Sequence, residues 1–396
     1  MTGRGVTYAA GFTAGAAAAG VKHGGAERLD VALIVSDRPC VAAGVLTTNR
    51  AIAAPCVVTR RHLERGSLRA IVANSGNANA ATGRRGERDA MAMAQAAARH
   101  LGVAAEEVAV ASTGVIGVPL PIERIAAVIP GIVPTVDGWE DAARAIMTTD
   151  TKPKVAEQTV ALSGGDVRVG GIAKGAGMIH PDMATLLAFI TTDAEVDPRF
   201  LRKATKAAVA ETFNRISVDG DTSTNDTVIV LANGASGQRV TRHDDEDKVR
   251  QALVDVCREL ALAVLADGEG VTKVFRVTVD GAKSVEEAVL AARTITDSNL
   301  VRTAVHGADP NYGRILAAAG RSGAELDLAK AGVRIGATPV FLRGAPCPYD
   351  VKAVRAHLAQ GRVELGIYLG AGESSAEAWG ADLSAEYVRI NADYTT

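Results

Sequence analysis

The chain has 396 residues and is nearly neutral, with 43 Lys plus Arg against 45 Asp plus Glu and a net charge of −2. That balance gives no electrostatic case for nucleic acid or for a membrane surface as partner. Hydrophobic residues make up 47% and aromatics only 4%, the profile of a soluble globular protein with an Ala-, Gly- and Val-rich core, and no strongly apolar run is long enough to span a bilayer. Cys40, Cys56, Cys257 and Cys347 are far apart and form no CxxC pair, so they read as buried thiols of a reducing compartment. The segment AAGFTAGAAAAG, residues 9–20, imitates a secretory signal but lacks a Leu-rich stretch, and it reads as mature protein. A cytoplasmic enzyme is the default expectation.

Taken in chain order, DVALIVSD (30–37), PCVAAGVLTT (39–48), APCVVTRR (54–61) and LRAIVANSG (68–76) read as closely spaced strands. GERDAMAMAQAAARHLG (86–102) and GWEDAARAIM (138–147) read as helices, the second with acidic residues in its first turn. The same style returns later: a helix over 197–216, a strand over 225–234, and a long amphipathic helix over 244–267. A further strand over 275–282 and a helix over 284–296 follow. Helices and strands intermix throughout, which predicts an α/β (α+β layered) fold with at least two sheets. No repeat or low-complexity linker divides the chain.

The segment GGIAKGAGMIHPDMATLLAF (170–189) is the most informative one. Thr185 lies in it between small residues and an apolar run, just after a glycine-rich bend. A Thr hydroxyl is a poor nucleophile unless a base takes its proton, and a chain's own α-amine is one such base. An internal Thr gains that amine only if the Ala184–Thr185 bond breaks. Gly175 and Gly177 permit unusual backbone angles, and Pro181 restricts both itself and His180. Strain there would favour attack of the Thr185 hydroxyl on the Ala184 carbonyl, giving an ester that water opens. The alternative is a buried strand, MATLLAFI, in which the Thr packs like a valine.

Other segments carry weaker signals. ASTGVIG (111–117) follows a strand-like run and can aim backbone N–H groups and the Thr113 hydroxyl at one point, as an oxyanion hole requires. NSGNANAATG (74–83) reads as a turn that could also line a polar pocket. In MTTDTKPK (147–154) hydroxyls are followed by two lysines, and Lys174 stands among glycines where a carboxylate could approach. ISVDGDTSTNDT (216–227) is rich in Asp and hydroxyls, yet its spacing matches no calcium loop, and it reads as a structural polar loop. Glu269 in DGEGVTK (267–273) suits either an ammonium partner or a solvated residue beside a helix-ending glycine pair. HGADPNYGR (306–314) reads as a turn, and the histidines form no metal-ligand pattern. No phosphate-binding glycine motif is present.

ASTGVIG, AIMTTDTKPK, GGIAKGAGMIHPDMATLLAF, DTSTNDT, DGEGVTK, DPNYGR and the terminal NADYTT occur as a set and in order, and in this the chain resembles the ornithine acetyltransferase family over its whole length. The resemblance implies an α/β self-processing N-terminal-threonine acyltransferase fold, with sheets contributed by both fragments. It implies cleavage at Ala184–Thr185 into an α chain, 1–184, and a β chain, 185–396, in an α2β2 assembly. It implies acetyl transfer from N2-acetylornithine to L-glutamate in cyclic arginine biosynthesis, with no metal or organic cofactor. Some members also take the acetyl from acetyl-CoA.

By the same resemblance Thr185 is the nucleophile, Thr113 and Gly114 form the oxyanion hole, and Lys174 and Thr148 hold the substrate's polar end. Glu269 pairs with its ammonium, and Asn391 and Thr396 reach in from the C-terminal tail. The chain departs from the family pattern at Ala81, Asp182, Tyr312 and Ala392, where Cys, Asn, Trp and Ser are usual. Three other readings stay open: a self-cleaving aminopeptidase, whose nucleophile is typically Ser; a specialised paralogue acting on another acylated amine; and a binding protein that never cleaves.

Overall fold

The structure is a computed structural model, and it describes residues 3–22, 28–180 and 186–393. Among the described residues six strands precede residue 185: β1 (Phe12–Ala17), β2 (Val31–Leu46), β3 (Ser67–Asn74), β4 (Val108–Ser112), β5 (Lys154–Leu162) and β6 (Gly165–Lys174). The later strands begin with β7 (Leu187–Thr192), β8 (Ile216–Ser217), β9 (Thr227–Ala232) and β10 (Val274–Ala282). They end with β11 (Gly332–Ile335), β12 (Thr338–Leu342), β13 (Ala345–Pro346), β14 (Arg362–Tyr368) and β15 (Ser374–Ala381).

The helices are α1 (Ala54–Glu64), α2 (Gly83–Leu101), α3 (Ile122–Val128), α4 (Trp139–Ala145), α5 (Pro198–Glu211) and α6 (His243–Ala266). They continue as α7 (Val285–Thr296), α8 (Asn299–His306), α9 (Tyr312–Gly320), α10 (Val351–Leu358) and α11 (Ala385–Asp393). The mixed α/β architecture is the one the sequence predicts.

Two sheets organise the molecule. The first has eight strands in the order β4-β3-β2-β9-β7-β6-β5, with β1 paired to β2. The second has seven, in the order β13-β12-β11-β14-β10-β15-β8. Strands from both sides of residue 185 therefore alternate in the first sheet, where β9 and β7 sit between β2 and β6. The second sheet is built wholly from later residues, so the expectation that both segments supply the sheets holds for one sheet and not for the other.

Packing follows from the apolar faces. Val167, Val169, Ile190 and Val230 of the first sheet share a core with Leu253, Leu260 and Val264 of α6 and with Trp379 of β15, so α6 joins the two sheets. On the other face, Phe12, Ile34 and Ile71 meet Ile172, Phe189, Ile229 and Trp139 of α4. The second sheet buries Phe275, Val277 and Val279 beneath α7, α8, α9 and α10.

Three local expectations are corrected. APCVVTRR forms α1 and not a strand: extended Ala53 leads into Pro55, whose fixed φ suits a first helical turn. Val58, Thr59 and His62 are buried, and the Thr59 hydroxyl both donates to and accepts from the Val110 backbone at 2.7 Å. The two strands expected over 30–48 are one strand, β2, with an irregular register between Val35 and Cys40. HGADPNYGR is a turn only as far as Asn311, and its Tyr312 opens α9. The Gly/Ala segment 9–20 supplies β1, an integral strand of the first sheet.

Candidate active site

Strand register assembles the site. Straight, the 16 residues of β2 would span about 50 Å. The Asn225 amide, which precedes β9, instead donates to the Ala78 carbonyl at 2.6 Å and the Ser112 carbonyl at 2.9 Å. The first arm of β2 pairs Val31 with Asn74, and the second pairs Leu46 with Thr227. For both to lie near Asn225 the strand must bend, and the bend falls at its irregularity. Both arms then end at one rim. Leu187 stands at that rim between Lys174 and Thr227, which brings the ends of β6, β7 and β9 together.

A pocket opens there, lined by Thr113, Gly114, Thr148, Lys174, Glu269 and Asn391 with Ala78, Met178 and Asn225. Every predicted site residue among the described ones is thus at one place. Ala184, Thr185 and Thr396 lie outside the described residues.

Lys174 is buried at the centre of this arrangement. Its Nζ donates to Thr148 Oγ1 at 3.0 Å and to Thr113 Oγ1 at 3.2 Å, and lies 3.9 Å from an Asp150 carboxylate oxygen. Burial lowers its pKa, and the Asp150 charge opposes that shift. Burial also works against the charge of Asp150, yet Lys174 and Lys154 hold its carboxyl down to about 2.

The turn after β4 refines the oxyanion-hole reading. The Thr113 N–H is already committed to the Asn74 carbonyl at 3.0 Å, so the donor available from this residue is its hydroxyl. Because Lys174 donates to that oxygen, the hydroxyl proton is free to point into the pocket. The Gly114 N–H makes no hydrogen bond among the described residues, at φ 133°. A Cβ at Gly114 would overlap the Gly76–Asn77 backbone, so only glycine fits. One hydroxyl and one free N–H at adjacent residues can together hold a developing oxyanion.

Glu269 enters from the end of α6. Its N–H donates to the Ala176 carbonyl at 2.9 Å, and its Oε2 accepts from the Asn391 amide at 2.9 Å. It faces the pocket and is no freely solvated cap residue. A Cβ on Gly177 would stand 2.5 Å from Glu269 Oε2, so the glycine leaves space for the carboxylate. Asn391 belongs to α11, which seats the C-terminal part of the chain against Gly270.

The glycine-rich bend before residue 181 is held by Asp219, which accepts from the Met178 and Ile179 N–H groups at 2.6 and 2.9 Å. Burial raises the Asp219 pKa to about 6. Met178 adopts φ 57°, a left-handed conformation costly for a residue with a side chain. On the far side, Asp226 Oδ1 accepts from the Leu186 N–H at 3.1 Å. Burial pushes the Asp226 pKa well above its ordinary value against the influence of the Leu186 hydrogen bond and Lys174. The chain on either side of residues 181–185 is therefore fixed by a carboxyl group, half-buried at Asp219 and fully buried at Asp226.

Sequence reasoning missed Asp150, Lys154, Asp219, Asn225, Asp226 and Asp267. All lie inside segments it singled out, but a run of polar residues does not reveal which member is buried. Among the described residues no group of His, Cys, Asp and Glu could hold a metal ion, the cysteines are free, and no helix is long and apolar enough to cross a membrane.

Fold and pocket together put two hydrogen-bond donors, a carboxylate and a buried lysine in one cavity, an arrangement with the chemistry that acyl transfer needs. The sequence profile of the ArgJ family matches residues 13–396. The arginine biosynthesis bifunctional protein of Symbiobacterium thermophilum is 49% identical over 396 residues, covering 99% of this chain and 98% of its own. That of Dehalococcoides mccartyi is 48% identical over 393 residues, covering 99% and 97%. Among solved structures, an ornithine acetyltransferase from Mycobacterium tuberculosis complexed with ornithine is 40% identical with a TM-score of 0.42, covering 47% of this chain and 98% of the solved one. The chain belongs to the ArgJ family, and it is an enzyme, an acyltransferase of arginine biosynthesis.

Proposed function

We propose that this chain is a glutamate N-acetyltransferase that moves acetyl from N2-acetylornithine to L-glutamate after cutting itself between Ala184 and Thr185. The observation that carries this reading is the convergence of Thr113, Gly114, Thr148, Lys174, Glu269 and Asn391 on one pocket.

In the maturation step the Thr185 hydroxyl adds to the Ala184 carbonyl carbon. The peptide C–N bond breaks, the departing nitrogen takes the proton, and water opens the resulting ester. The new α-amine then serves as the base for its own hydroxyl. Thr185 Oγ attacks the acetyl carbonyl of N2-acetylornithine, and the oxyanion is held by the Thr113 hydroxyl and the Gly114 N–H. The acetyl C–N bond breaks, and ornithine leaves with the proton. Glutamate's amine attacks the acetyl-Thr185 ester, the C–O bond breaks, and N-acetylglutamate departs.

Glu269 is the partner for the ornithine ammonium, Lys174 and Thr148 hold the polar end, and Asn391 and Thr396 close the pocket from the C-terminal side. No cofactor enters this cycle; acetyl-CoA is an alternative acetyl donor. The fragments 1–184 and 185–396 remain together as α and β chains of an α2β2 enzyme in the cytoplasm. The interleaving of β7 and β9 among earlier strands supports their staying associated.

Incubation of purified protein with N2-acetylornithine and L-glutamate tests the reading. Equimolar ornithine and N-acetylglutamate are expected. Release of acetate without N-acetylglutamate, or no ornithine at all, would overturn it.

A further inference from the structure

Beneath the pocket floor lies a charge cluster that the proposed chemistry does not use. Lys154, the first residue of β5, is a fully buried lysine. Its Nζ donates to Asp150 Oδ1 and, at 2.6 Å, to Asp267 Oδ2. Each carboxylate also organises backbone. Asp150 accepts from the Thr148 N–H at 3.0 Å and the Gly175 N–H at 2.7 Å. Asp267, which caps the end of α6, accepts from the Thr151 N–H at 3.0 Å and from the Thr151 hydroxyl. One ammonium thus joins three segments that carry pocket side chains: the turn with Thr148, the end of β6 with Lys174, and the end of α6 with Glu269.

Stability alone is a weak reason for such a cluster. Burying each ion costs several kcal/mol of hydration, and replacing a buried ion set by apolar residues is often neutral or better. Geometry is a stronger reason. Glu269 stands two residues beyond Asp267, and Lys174 stands one residue before the Gly175 N–H that Asp150 holds. We propose that Lys154, through Asp150 and Asp267, is a positioning residue of the acyl-transfer site, fixing the spacing of Lys174 and Glu269. The proposal rests on the acetyl-transfer reading above.

The charged groups around the cluster give it a pH signature. Asp150 faces Lys154 and Lys174, and Lys174 in turn feels Asp150, Lys154, Glu269 and Asp226. Without Lys154, Asp150 keeps Lys174 and the Thr148 and Gly175 N–H groups against the cost of burial. It then takes up a proton at higher pH than before, and Lys174 loses its nearest counter-charge.

The test compares wild type with K154M and with the charge-balanced double variant K154M/D267N, which removes one cation and one anion together. If the cluster positions the site, the double variant keeps a wild-type melting temperature. Its kcat/KM for acetyl transfer falls roughly 100-fold, the scale of a small misplacement of reacting groups. The acid limb of its pH–stability profile rises by about one to three units, the scale of one neighbouring cation. A folded double variant with wild-type kcat/KM and pH–stability profile would overturn the proposal while leaving the acetyl-transfer reading intact. A wild-type enzyme that transfers no acetyl would instead remove the reading on which the proposal rests.

Discussion

The two sheets of this protein are similar in size but not in history along the chain. The eight-stranded sheet is threaded through residue 185: β6, which ends at Lys174, pairs with β7, which begins at Leu187, and β9 lies beyond. The seven-stranded sheet uses only residues after 185 and reaches the pocket indirectly, through Glu269 after α6 and Asn391 on α11. A cut at 184/185 would leave every ladder of both sheets in place, because neither sheet depends on that bond for its hydrogen bonding. The first sheet also sets Leu187, the first residue of β7, between Lys174 of β6 and Thr227 of β9. One sheet therefore brings Lys174 to the pocket, and the segments that flank the other bring Glu269 and Asn391 to it.

The largest expected effect breaks the first sheet's role at its source. Thr185→Ala should yield an intact chain with no acetyl transfer on a denaturing gel and in a product assay, and normal turnover by that variant would remove Thr185 from the mechanism. Next comes the oxyanion site. Thr113→Val deletes the hydroxyl at constant shape and should lower kcat by roughly 100- to 1,000-fold. Following cleavage and transfer side by side in this variant shows whether one oxyanion site serves both reactions; loss of only one separates them.

Glu269→Gln tests the contribution of the second half. It should still cleave, while kcat/KM for N2-acetylornithine falls by about one to two orders of magnitude, the worth of a charge-assisted hydrogen bond. Wild-type kinetics would take Glu269 out of the site.

Two smaller effects separate buried from exposed charge. The Asp150 carboxyl lies below its ordinary value in the folded protein, at about 2. Its stabilisation is therefore complete above the unfolded value near pH 4 and is lost as pH falls toward 2, about 2 kcal/mol in all. Denaturant melts of wild type and Asp150→Asn across that window should differ in slope; parallel curves would contradict the assignment. On the second sheet, Arg276 pairs with Glu364 at 2.7 Å and with Glu377 at 3.2 Å while staying substantially exposed. Glu364→Gln should change stability by no more than about 1 kcal/mol and leave transfer untouched.

Much of this was legible in the sequence. The helices over α2, α5, α6 and α7 followed from apolar periodicity, and the motif set carried Thr113, Gly114, Thr148, Lys174, Glu269 and Asn391 to what proved a single pocket. What stayed hidden depended on long-range packing. A short β-branched run such as APCVVTRR suits a strand and a buried helix face equally, and Pro55 decided for the helix. The bend in β2, which brings Asn225 to Ser112, leaves no local pattern beyond Pro39 in an exposed stretch. The burial of Lys154 between Asp150 and Asp267 joins residues 113 positions apart, and no spacing rule reaches that far.

The most direct test of the central claim is a denaturing mass spectrum of the purified protein before and after N2-acetylornithine. The account predicts two fragments dividing between Ala184 and Thr185, with one acetyl gained on the fragment that begins at Thr185. An uncut chain that gains no acetyl would contradict it.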